Sequence, residues 1–138
     1  MNTYSIWISG LVVLIASVVV NALLVTLLLP FTGVPDSVMT FKVAGPTGAF
    51  TVIGVIGAVI VFALIRRFSR NPNTVFVWVA MVVLIVSFLP DIFIHNLGPM
   101  FAEVTNKGVA LLMVLHAACA LITIYGLTKL TRPVAVQA

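Results

Sequence analysis

The chain has 138 residues, of which 62% are hydrophobic and 7% charged, with a formal net charge of +4 and a mean hydropathy of +1.30. Soluble domains are about 45–50% apolar and about 25% charged, so seven Lys/Arg and three Asp/Glu cannot solvate a water-soluble fold of this length. An ordinary cytosolic enzyme and a disordered chain are excluded, and a lone cysteine excludes a disulfide scaffold, which leaves an integral membrane protein.

Residues 6–29 form a continuous apolar stretch closed by Pro30, with no charge before Asp36. It exceeds the ~20 residues needed to cross a bilayer. With no Lys or Arg ahead of it, and longer than the ~7–15-residue core of a signal peptide, it is read as a retained first helix. A second run covers 47–65, opened by Pro46, which suits a first helical turn, and stopped by Arg66-Arg67. The third covers 74–94 after Asn71-Pro72-Asn73, and the fourth 108–127 between Lys107 and Lys129. Val and Ile dominate these runs, but their length is that of helices in a bilayer, and the polar alternation of a barrel strand is missing. The expected fold is all-α, an integral membrane four-helix bundle forming one transmembrane domain over 1–138, with a tail at 131–138.

Four spans place both termini and the second connection on one side, with Arg66, Arg67, Arg70, Lys129 and Arg132; Lys42 and Lys107 lie opposite, with Asp36 and Glu103. That bias predicts a cytoplasmic N-terminus and C-terminus in a multi-pass protein of the inner (plasma) membrane. Tyr4, Trp7, Trp78 and Tyr125 fall near the same ends, as interfacial aromatics should. The basic residues sit at the ends of apolar runs, so they indicate orientation and not nucleic acid.

Polar side chains inside the spans are the informative ones, because in lipid each needs a partner or water. Counting about 1.5 Å per residue from the outer helix ends places Asn21, Ser87 and His116 roughly 12 Å deep, and Thr51 and Asp91 roughly 6 Å deep. Ser87, Asp91 and His95, four residues apart, predict one stripe on the third helix. Asn21, Thr51, Ser87, Asp91 and His116 together predict a small polar pocket in the outer half of the bundle, open to the outer face. Asn21, Ser87 and Thr51 also have a simpler role as interhelical hydrogen-bonding groups, and His116 could pair with Asp91 or Asn21 for structural reasons alone. Gly54, Gly57 and Ala58 are expected to be helix-packing positions, and Cys119 a small buried hydrophobe.

Asp91, His95 and His116 (with Glu103) are residue types that bind zinc, but no HExxH-type spacing supports a metal centre. A haem held by His95 and His116 is disfavoured because the two differ by roughly 12 Å in estimated depth. A proton relay through Asp91 and His116 would find no charged residue to continue it in the inner half.

Asn21 followed by the Leu-Pro-Phe-Thr-Gly-Val-Pro turn at 29–35, the Arg66-Arg67 pair, and Ala-Leu-Leu-Met-Val-Leu-His-Ala-Ala at 110–118 carry a resemblance over nearly the whole chain. By these the chain resembles a bacterial family of small membrane proteins known only as a domain of unknown function. The resemblance implies a four-helix inner-membrane protein and supplies no activity.

The expected function is non-enzymatic, with the outward-facing pocket binding a small molecule, lipid headgroup or proton and no cofactor. The alternative is an accessory subunit packing against a larger membrane complex, and a third reading is a membrane enzyme or cofactor protein using Asp91 and His116. The expected partners are the lipid bilayer and a second copy or another membrane protein, with no nucleic acid.

Overall fold

The computed structural model describes residues 3–42 and 45–131. Arg132, the tail beyond it and the ring of Tyr4 lie outside the described residues and side chains. Four helices carry the fold: α1 (Thr3–Leu28), α2 (Pro46–Phe68), α3 (Pro72–Ile92) and α4 (Asn106–Leu130). Each is long and apolar enough to cross a membrane, and each bonds its own backbone, as a span without water must. No strand occurs among the described residues.

Local chemistry fixes the helix ends. Pro30 ends α1 in a 3-10 turn over Leu29–Phe31, where the Leu29 carbonyl accepts both the N–H and the hydroxyl of Thr32, at 3.0 and 2.6 Å. Pro46 and Pro72 occupy the first turns of α2 and α3, where a missing N–H costs nothing. Arg66 and Arg67 fall in the last turn of α2 and Lys129 in that of α4, the favourable end of the helix dipole for a cation. Thr105 caps α4 by accepting the Gly108 N–H at 3.1 Å. Gly33 (φ 71°), next to Thr32, turns the chain through the left-handed region that favours glycine.

Helix α1 packs most extensively on α4 and next on α2, while α3 leans mainly on α4. Lipid is as apolar as leucine, so close van der Waals approach at small residues does the work that water exclusion does elsewhere. Three glycines provide it. A Cβ at Gly126 would lie 2.3 Å from Val13, one at Gly10 2.8 Å from Val59, and one at Gly108 2.8 Å from Val34. Gly54 and Gly57 do not pack as expected: both are exposed, and nothing stands within 4 Å of a Cβ added to either. The buried stripe of α2 is Thr51, Val55, Val59 and Phe62, and the two glycines lie outside that arc.

The interior is divided into two apolar clusters. One, at the Arg66 end, joins Ile6, Val13, Val55, Val59, Phe62, Phe76 and Leu127, with the Phe62 and Phe76 rings tilted at 4.8 Å. At the same end Arg66 lies over the Phe62 ring and donates to the Thr131 carbonyl at 2.8 Å, and Asn73 makes a longer bond, 3.5 Å, to the Thr128 carbonyl. The other brings Val25, Leu111, Leu112 and Leu115 together with Val34, Val38, Phe41, Ile94 and Val104 from the connections, so apolar loop residues fold over the opposite end.

Candidate functional site

Between the two clusters lies a polar layer. On α1, Ser17 and Asn21 separate Val13 from Val25; on α2, Thr51 precedes Val55; on α3, Asp91 separates Phe76 from Ile94; on α4, His116 follows Leu115. Ser17, Asn21 and Asp91 are at least 95% buried in a region whose neighbours are hydrocarbon.

Two pairs organise the layer. Asn21 Nδ2 donates to Thr51 Oγ1 at 3.1 Å and ties α1 to α2. The Thr51 hydroxyl gives its only hydrogen to the Thr47 carbonyl at 2.8 Å. It can therefore only accept from Asn21, which fixes the amide orientation and leaves Asn21 Oδ1 buried without a donor. The second pair ties α3 to α4: His116 Nδ1 lies 2.8 Å from Asp91 Oδ2 and 3.0 Å from the Leu112 carbonyl. A carbonyl only accepts, so Nδ1 carries hydrogen. That hydrogen is directed at Leu112, and Asp91 Oδ2, though close, stands off the N–H direction and is among the buried oxygens without a hydrogen-bond partner. His116 is part-exposed, and its Nε2 has no hydrogen-bond partner among the described residues.

Asn21 with Thr51, and Asp91 with His116, are thus brought together as two couples on different helix pairs. Ser87 joins neither; its hydroxyl bonds back to the Leu84 carbonyl of its own helix at 2.7 Å. Each couple joins a residue counted at roughly 12 Å to one counted at roughly 6 Å, so side chains from different turns meet across each helix pair. The stripe from Ser87 through Asp91 to His95 also breaks, because α3 ends at Ile92 and His95 sits in a 3-10 turn with Nε2 on the Val104 carbonyl at 2.5 Å. Among the described residues no three of His, Cys, Asp and Glu come together, Asp91, His95 and His116 included.

The expected opening to the outer face is replaced by apolar cover, since Val34, Val38, Phe41 and Val104 are buried above the layer. What opens is lateral: a shallow crevice between α1 and α2, with Val18, Asn21, Ala22, Val25, Phe41, Thr47, Gly48 and Thr51 as its walls. Ser17 belongs to the same layer, with the Cys119 thiol beside it and Thr123, and its buried hydroxyl has no partner. Its four-residue spacing from Asn21 was the available signal for including it.

The family described as "Family of unknown function (DUF6069)" matches residues 2–133, nearly the whole chain. No curated protein and no solved structure matches it.

Proposed function

This chain belongs to the DUF6069 family, and from that premise we propose that it is a multi-pass inner-membrane protein whose Asp91–His116 pair binds a small polar ligand, a lipid headgroup or a proton. The observation that carries the proposal is a carboxylate 95% buried at membrane depth, beside an imidazole whose second nitrogen is uncommitted. An intramembrane ionisable group is costly and is kept where it has work to do. Fixing Nδ1 between Leu112 and Asp91 sets the ring orientation and presents Nε2 to an incoming group. The termini are assigned to the cytoplasm, supported by the charge bias and by Trp7, Trp78 and Tyr125, all well exposed near that end.

The test is nitrogen-15 NMR of the His116 ring in lipid nanodiscs, with pH and candidate ligands varied. The expected result is a response at Nε2 while Nδ1 stays fixed, lost in Asp91→Leu without loss of helix content. A ring that responds to neither pH nor any ligand would end the proposal.

One feature favours a second reading, the accessory subunit. Gly54 and Gly57 stand open on an exposed apolar arc of α2 with Ile53, Ile56 and Ile60, and small residues at membrane depth allow another helix to approach closely. Stoichiometric co-purification of a partner in mild detergent, abolished by Gly57→Leu, would support it.

A further inference from the structure

The crevice between α1 and α2 is separate from the Asp91–His116 pair, and its hydrogen bonding is lopsided. Thr51 spends its hydrogen on the Thr47 carbonyl, and Thr47 spends its own on the Thr40 carbonyl. Both hydroxyls are left with accepting capacity only. Asn21 Oδ1 is a third acceptor, buried and without any donor. Leaving such a group unmet costs about 1–3 kcal/mol, so an occupant that donates a hydrogen bond is favoured over one that accepts.

Size and surroundings narrow the occupant. Val18, Val25 and Phe41 make the walls apolar, and the room among them is about that of one water molecule. A hydroxyl fits; a ring or a phosphate does not. The half-exposed rim residues Val18, Ala22 and Gly48 belong to membrane-spanning helices, so the mouth faces lipid. Thr51 is five residues into α2, about 7.5 Å from its outer end, which is near the glycerol level of the outer leaflet.

We propose that the crevice binds the free hydroxyl of a glycerolipid, which donates to the acceptors around Asn21 while its acyl chains stay in the bilayer. The chemistry is shared by diacylglycerol and by the glycerol headgroup of phosphatidylglycerol.

The experiment uses the full chain in dioleoylphosphatidylcholine nanodiscs with nitrogen-15 asparagine, adding dioleoylglycerol, its methyl ether or dioleoylphosphatidylglycerol. The Asn21 side-chain amide signals are expected to move with a hydroxyl lipid and not with the ether; whichever hydroxyl lipid acts identifies the source. Ala22→Leu, which fills the rim, is expected to weaken the response at least tenfold, and His116→Ala to leave it unchanged, so this site and the Asp91–His116 proposal fail separately. An ether as effective as the alcohol, or no response to either hydroxyl lipid, overturns the inference; this comparison needs no variant to fold.

Discussion

The Arg66 end of the bundle and the polar layer above it are built on opposite terms. Below, Phe62, Phe76 and Leu127 are almost wholly buried, Val13 fills the space left by Gly126, and the clustered side chains are wholly apolar. Above, the same four helices bury Ser17, Asn21 and Asp91, each with an oxygen that has no hydrogen-bond partner. A region packed to completion holds the helices together. One that tolerates unmet acceptors at membrane depth is where a bound group would find its partners. Stability and binding are therefore expected to separate along the membrane normal.

Substitutions can break that separation. The largest effect is expected from Phe62→Ala, which removes a fully buried ring from the Phe76 stack; about 3–5 kcal/mol of destabilisation, read from unfolding in mixed detergent micelles, fits a core truncation. Gly126→Leu should follow at about 1–3 kcal/mol, because the added side chain has Val13 in its way and must push α1 from α4. Combining Gly126→Ala with Val13→Ala should recover part of the single Gly126→Ala loss if that contact is the cause. In the layer, Thr51→Val should cost about 0.6 kcal/mol, the usual worth of an interhelical hydrogen bond in a membrane. Gly54→Leu should stay within about 0.5 kcal/mol, since its side faces open space. A Thr51→Val loss as large as that of Phe62→Ala would show the two regions to be one.

The four helices are legible in the sequence because about 20 uninterrupted apolar residues have one common solution in lipid. Asn21, Thr51, Asp91 and His116 are legible as a set for a related reason: polar groups in such runs must find partners, and these find one another. Their partition into two couples is not legible, because spacing along one helix does not say which neighbouring helix a face meets. Nor is the cover that the connections make by burying Val34, Val38, Phe41 and Val104. Glycine roles were misassigned for a comparable reason. Gly54 and Ala58, with Gly57 beside them, have a familiar small-residue spacing, yet contact is decided by which arc of α2 faces inward, and isolated Gly10, Gly108 and Gly126 hold the contacts. His95 escaped its stripe because α3 stops at Ile92, three residues earlier.

Arg66 bears on how such a bundle can move. Its guanidinium on Thr131, the neighbouring Asn73–Thr128 bond and the stacked rings beneath draw the ends of α2, α3 and α4 to one place. Helices joined like the arms of tweezers pivot near the joint, and displacement grows with distance from it. Admission of anything between these helices would then take the form of spreading at the far tips, with the basic end as the fulcrum.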